Sequence, residues 1–327
     1  MLVLVTGFKG FIGSHIVKEL NARKIDYAPF SGDCLNKEDW SHNFNSRMTH
    51  VLHCAGYNGG IQFNCKFPAD IFYKNTIMAL NGMQACCDNK VQYFMSFVTS
   101  CGYPTDERIS ELDNMPYGEY EYLQGKPHET VQAHGYAKRN IMLGCKFYHA
   151  QNGLYPVCFC PNTVFGPRDR IDHREKVMMA LIRKFAYAKM YKEPSVSLLG
   201  TGQVQREFTY VKHVAQIVAE WIQHPISYSG NGEPINIGPS FEMSIYDLAY
   251  KIARKVRYTG DILWDVNRPD GAERKALSYK KQEFYELSPY KRYSPDEAIE
   301  ETIKWYIEDC LHGNYESISQ GLMYGFK

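Results

Sequence analysis

The sequence predicts an α/β fold in which a doubly wound parallel sheet is joined to a smaller C-terminal α/β domain. Three observations predict it. A short apolar run, Val3-Leu4-Val5, is followed by Thr6 and by glycines spaced G-x-x-G-x-x-G at Gly7, Gly10 and Gly13. Apolar residues then recur at helical spacing, at Phe11, Ile12, Ile16 and Leu20. Short apolar runs and helical stretches keep alternating through the first half, as crossover-connected parallel strands require.

Strand, glycine turn and helix in that order form the context of a Rossmann-type dinucleotide-binding turn. Gly10 lets backbone N–H groups approach a pyrophosphate at the helix N-terminus, where the dipole favours an anion. Residues 25–30 read as the second strand. Its end, Ser31-Gly32-Asp33, is where such a fold meets the adenosine ribose. Asp33 suits the 2′-hydroxyl of NAD(H), and Lys9 suits the 2′-phosphate of NADP(H). No acid stands directly at the strand end, so NADP(H) is expected, with NAD(H) left open.

Residues 50–56 read as the third strand, 57–61 as a loop, 69–89 as a helix and 91–98 as a strand ending at Thr99-Ser100-Cys101-Gly102-Tyr103-Pro104. A helix over 129–151 and a strand over 156–161 complete the first half. Ligands bind beyond the carboxyl ends of such strands, which places Thr99, Cys101 and Asn162-Thr163 at the expected edge. From Gly166 the character changes. A charged loop, residues 168–176, enters a helix over 177–191, and Ile235-Asn236-Ile237-Gly238 reads as a late strand. Residues 244–256 read as an amphipathic helix with Ser244 as N-cap, 268–275 as a charged turn-rich loop and 296–311 as a closing helix. The expected division is a Rossmann domain over 1–165, with return segments near 207–240, and a second domain over most of 166–327.

Composition narrows the classes. Of 327 residues, 44% are hydrophobic and 22% charged, an ordinary globular balance, and a net charge of +1 leaves no footprint for nucleic acid. The apolar runs are too short to span a bilayer, and with the first strand entered at once no signal peptide is expected. Ten scattered cysteines without a C-x-x-C pair argue against a disulfide frame or a zinc site. No metal is expected, and the setting is a reducing cytoplasm.

Several segments are more specific than the glycine turn. They are Gly59-Gly60-Ile61 with Asn64 and Pro68-Ala69-Asp70, then Ser100-Cys101-Gly102-Tyr103-Pro104, Gln205-Arg206-Glu207-Phe208, and Pro269-Asp270-Gly271 with Arg274-Lys275. With the Thr6-Gly7 turn they resemble, over nearly the whole chain, the extended short-chain dehydrogenase/reductases and within them the GDP-L-fucose synthase family. That family epimerises GDP-4-keto-6-deoxy-mannose at carbons 3 and 5, then reduces carbon 4 with NADPH. The resemblance implies NADP(H), a GDP-hexose or GDP-heptose substrate, and a homodimer through the helices near 69–89 and 129–151.

The resemblance also assigns residues. Thr99 stands where the family has its catalytic serine, Cys101 where it has the epimerisation cysteine, and Lys138 where it has the lysine that binds the nicotinamide ribose. Gly7, Lys9, Gly10, Phe11, Ile12, Gly13, Asp33 and Ala55 fall on the cofactor side. Val177, Lys184, Arg206, Arg274 and Lys275 fall on the substrate side. Two positions depart from the pattern. The family's Tyr-x-x-x-Lys becomes His134-x-x-x-Lys138, with Tyr136 only two residues before the lysine. A register running from Tyr136 to Asn140 would lose the lysine, and the flanking Gly-Tyr-Ala-Lys-Arg favours His134. The family's second epimerisation residue, a histidine, becomes Lys176, with His173 three residues away. A histidine can give a proton near neutral pH. The expected function is therefore NADP(H)-dependent reduction of a GDP-4-keto-sugar, with or without epimerisation. The alternative is an altered homologue, either an epimerase only or a non-catalytic subunit that binds cofactor and nucleotide sugar.

Overall fold

A computed structural model describes residues 1–105, 115–172, 174–224, 233–268 and 274–311. The chain forms two compact units. The first comprises Met1–Asn162, Val211–Gly238 and Leu277–Lys291; the second comprises Thr163–Tyr210, Pro239–Ala276 and the chain from Arg292.

β1 (Val3–Thr6) is buried throughout, as its apolar run demands. α1 (Phe11–Ala22) buries Ile16 and Leu20. Gly13 permits its close approach, since a Cβ there would collide with the Gly7 carbonyl. β2 (Tyr27–Pro29) is shorter than expected. It is an edge strand, and Pro29 brings no N–H to prolong it. α2 (Lys37–Ser41) was not anticipated; it inserts the fully buried Trp40, whose Nε1 donates to the Cys34 carbonyl at 2.9 Å. After β3 (His50–His53), α3 (Ile61–Lys66) starts where only a loop was expected. Pro68 separates it from α4 (Pro68–Asp88): the proline occupies the first turn and Phe67 before it leaves the helical region, at φ −127°.

β4 (Tyr93–Phe97) leads through the turn at Thr99 to α5 (Gln132–Asn152), which begins later than expected because a 3-10 turn, Glu129–Val131, precedes it. Gly153 ends α5 in the left-handed conformation, and β5 (Tyr155–Pro161) follows.

In the second unit come β6 (Thr163–Phe165), α6 (Val177–Tyr191), β7 (Ser195–Leu199) and β8 (Gln205–Tyr210). α7 (Val211–Gln223) returns to the first unit directly from β8 and buries Val214, Val218 and Trp221. β9 (Ile235–Ile237) joins the sheet. β10 (Phe241–Ser244), α8 (Ile245–Val256), β11 (Asp261–Asp265) and β12 (Arg274–Lys275) belong to the second unit. The Ser244 hydroxyl caps α8, accepting from Asp247 N–H at 2.9 Å. α9 (Lys280–Phe284) lies in the first unit. α10 (Pro295–Trp305) lies in the second and carries a Ser294–Glu297 capping box. The single closing helix expected over 296–311 changes to a π turn at Tyr306–Leu311.

The first unit's sheet runs β2-β1-β3-β4-β5-β9, with every pairing parallel. The strand order reverses between β1 and β3, the switch point at which ligands enter such sheets. In the second unit β8 is central. β10 is antiparallel on one edge, and β6 and β12 share the other, both parallel. β7 and β11 form a separate parallel pair.

One buried amide fastens β9 to the rest of its unit. Asn236 Oδ1 accepts from the Tyr103 hydroxyl at 2.7 Å, and its Nδ2 donates to the Tyr117 and Ser278 carbonyls at 3.2 and 3.0 Å. Its backbone N–H donates to Glu119 Oε1 at 3.1 Å. Asn236→Leu fills similar space but strands a hydroxyl and two carbonyls. It should lower unfolding free energy by about 2–4 kcal/mol in urea titrations. A loss below about 1 kcal/mol would mean that water replaces the amide without difficulty.

Candidate functional site

A cavity of about 650 Å³ opens at the switch point, lined by Gly7, Phe8, Lys9 and Gly10 from the glycine turn, by Pro29–Cys34 after β2, and by Ala55 and Met78. Gly10 is the N-cap of α1, makes no side-chain capping bond, and no acid stands in the first turn. The first N–H groups of α1, including those of the half-buried Phe11 and Ile12, are thus offered to an anion. This cradle, which a Cβ at Gly13 would disrupt, fits a dinucleotide. Lys9 and Asp33 are both exposed on the cavity wall. Asp33 Oδ1 accepts from Leu35 N–H at 2.9 Å, so part of that carboxylate serves its own turn. Ser31, at the strand end expected to meet the ribose, does line the cavity, whereas the sequence reading missed Phe8, Phe30 and Cys34. The residues after β2 were findable by position; Met78, from α4, left no signal.

At the end of β4, Thr99 caps a 3-10 turn, Ser100–Gly102, its Oγ1 accepting from Cys101 N–H at 3.3 Å. The Ser100 hydroxyl donates to Asn162 Oδ1 at 3.1 Å. α5 docks on this turn. A Cβ at Gly135 would lie 2.7 Å from the Cys101 carbonyl oxygen, and Arg139 Nε donates to the Gly102 carbonyl at 2.8 Å. The other guanidinium nitrogens of Arg139 donate to the Gly125 and Gln124 carbonyls, each at 2.8 Å. His134 and Lys138, one residue before these two contacts and four apart, share the neighbouring stripe of α5. Both are buried, at 6% and 7% exposure. Tyr136 is half-buried on another face, its ring 5.6 Å from the Arg139 guanidinium. Cys101 is half-buried.

Burial pushes Lys138 down to about 8, with the Cys158 and Cys54 thiols opposing the shift. His53, at the end of β3, was not singled out in the sequence. Burial, with the Lys138 charge adding, holds it down to about 3, so it is neutral. Its Nδ1 lies 2.9 Å from Thr6 Oγ1, which accepts from Ala55 N–H at 3.1 Å. A polar chain therefore ties the lysine's surroundings to the cofactor cavity.

In the second unit Lys176 is the N-cap of α6, immediately before the half-buried Val177. Lys184 Nζ donates to the Ser197 carbonyl at 2.8 Å, and burial lowers its pKa. Arg206 on β8 is the register partner of Lys275 on β12, which sets two cations side by side. Arg206 also donates to the Gln205 carbonyl at 2.6 Å. Arg274 is gripped by the Glu242 carboxylate at 2.7 and 2.9 Å, an ion pair the sequence reading did not foresee. His173 and residues 269–273, part of the resemblance, lie outside the described residues. Among the described residues no helix is long and apolar enough to cross a membrane.

A dinucleotide cradle at a sheet's switch point, with a Thr-x-Cys turn facing a His-x-x-x-Lys helix, defines a class of nucleotide-dependent enzyme folds. The model of the NAD dependent epimerase/dehydratase family matches residues 3–238, and the chain belongs to that family and, within it, to the GDP-L-fucose synthase family. It is 29% identical to GDP-L-fucose synthase of Escherichia coli (strain K12), over 94% of this chain and 97% of the relative. It is 30% identical to probable GDP-L-fucose synthase 1 of Oryza sativa subsp. japonica, over 94% and 93%. A GDP-L-fucose synthetase from Naegleria fowleri, solved bound to NADP, superposes with a TM-score of 0.83 at 25% identity, over 95% of this chain and 94% of that one.

The buried lysine yields a pH prediction. Its pKa is lower in the fold than in the unfolded chain, so the unfolded chain binds more protons between about pH 8 and about pH 10. Stability contributed at this position therefore rises with pH across that window, and below it the buried charge is a standing cost. Lys138→Met removes the cost. In urea titrations the variant should be more stable than the parent at pH 7, with the difference narrowing towards pH 10. A variant less stable at pH 7 would contradict a desolvated cation.

Proposed function

We propose that this chain is an NADP(H)-dependent reductase of a GDP-4-keto-sugar, with epimerisation beside the ketone assigned to Cys101 and Lys176. The docking of α5 on the Ser100–Gly102 turn carries the reading, because it sets a donor helix against a hydroxyl-bearing strand end. The NADP-bound relative and Lys9 on the cavity wall support NADP(H) over NAD(H). The bound cofactor supplies the hydride. Thr99 Oγ1 accepts from Cys101 N–H, which leaves its own proton for the ketone oxygen. His134 holds the proton that completes the alcohol, and Lys138 binds the nicotinamide ribose. Arg206 and Lys275 suit the diphosphate, since paired cations match its charge; Arg274, Val177 and Lys184 complete the substrate side. Exposed Phe72, Tyr73 and Phe147 on α4 and α5 support a homodimer. The free thiols among the described cysteines support a reducing, cytoplasmic setting.

The second reading, an epimerase only or a non-catalytic binding subunit, draws on His134 standing where the family has tyrosine. Incubation with GDP-4-keto-6-deoxy-mannose and NADPH in deuterated water separates the readings. NADPH loss reports reduction, deuterium uptake reports epimerisation, and neither is expected of a binding subunit.

His134→Phe should abolish NADPH oxidation while cofactor affinity stays. His134→Tyr should sustain reduction with a displaced pH profile, because a tyrosine starts near 10 and a histidine near 6.5. Reduction that survives in His134→Phe would remove His134 from the role. Arg206→Ala should weaken GDP-sugar binding by about 1.5–3 kcal/mol in calorimetry, the scale of a charged hydrogen bond. An unchanged affinity would take Arg206 off the diphosphate.

A further inference from the structure

The chain between Gly118 and α5 carries a tyrosine that neither the family resemblance nor the proposed chemistry employs. Tyr122 is 1% exposed. Its hydroxyl meets the main chain of a single residue twice, donating to the Thr99 carbonyl at 3.1 Å and accepting from the Thr99 N–H at 3.3 Å. Its ring stands edge-on to Tyr103, with centroids 4.9 Å apart and planes at 89°. The same ring closes over Gly102, where a Cβ would collide with it. One side chain therefore grips the turn at residues 99, 102 and 103. Burial pushes the phenol well above its usual range, so the hydroxyl keeps its proton and keeps donating.

Thr99 is thus held at both of its ends. Its side-chain oxygen is fixed by Cys101 N–H, and its peptide groups on both sides are fixed by Tyr122. A ring alone would fill the space. Only the hydroxyl adds these two bonds, and both end on the residue whose side chain faces the chemistry. We infer that Tyr122 is a positioning residue, which fixes the backbone of Thr99 so that its hydroxyl is presented to the substrate ketone in one orientation. The inference rests on the proposed reductase reading. Tyr122 touches neither substrate nor cofactor; it acts through Thr99.

Tyr122→Phe keeps the ring and removes the two bonds. With rates expressed per NADPH-binding site, kcat for ketone reduction should fall at least tenfold, while KM for the sugar and NADPH affinity stay within twofold. A merely structural role would lower the melting temperature and the number of binding sites but leave kcat per site unchanged, and that result overturns the inference. Thr99→Ala supplies the second arm. If Tyr122 acts through Thr99, adding Tyr122→Phe to Thr99→Ala should cost nothing more in kcat; additive losses overturn it. If the unmodified protein does not reduce the ketone, the reductase reading falls, and the positioning is read from amide hydrogen exchange over residues 98–103. Faster exchange at Thr99 in Tyr122→Phe supports it, and equal exchange overturns it.

Discussion

The candidate site depends on one close approach, that of α5 to the Ser100–Gly102 turn. It needs a residue without a side chain at position 135, since any Cβ would meet the Cys101 carbonyl oxygen. It also needs a group that can bind several carbonyls at once, and the Arg139 guanidinium does so with three nitrogens. A buried guanidinium loses hydration, and burial lowers its pKa accordingly. Three hydrogen bonds to carbonyls, one from each nitrogen, offset part of that loss and make the arrangement directional. His134 and Lys138 then have no freedom of placement. They sit on the stripe beside the contact because helical geometry puts them there.

A second constraint runs through the polar interior beside the cofactor cavity. A protonated His53 would set two positive charges together in a dry interior, and the fold avoids this by keeping the imidazole neutral. Neutral, the ring can still exchange a hydrogen bond with the Thr6 hydroxyl, which in turn receives the Ala55 N–H. The loop after β3 and the first strand are joined by side-chain chemistry as well as by the sheet ladder.

The sequence made the sheet's interior legible because strands buried on both faces must be short and apolar: β1, β3, β4 and β5 stood out for that reason. α6 was legible over its full length and α8 through its Ser244 cap. α7 was not, although it is strongly amphipathic, because it follows Tyr210 of β8 with no cap or turn to mark a start. β7 and β11 are short alternations in polar surroundings, and β8 opens with a glutamine and two charged residues, so none carried a clear strand signal. At the site, glycine spacing and the Thr-x-Cys turn announced themselves as local patterns. The Arg274–Glu242 pair and the Tyr122 hydroxyl could not, since each depends on residues brought together from 32 and 23 positions apart.

The place of Asn236 bears on how the chain is made. When residues 1–162 have left the ribosome, β1–β5 are present but β5 is an open edge, its partner β9 not yet synthesised. The Tyr103 hydroxyl waits for an amide 133 residues further on. The Glu119 carboxylate, 117 residues before the N–H it will accept, waits likewise. Such long-range closure slows folding and exposes an unpaired strand for as long as it lasts. The first unit therefore stays open at β5 until the second unit's leading segment, Thr163–Tyr210, and then β9 itself have been made, and the two units cannot be produced as separate halves by cutting the gene once.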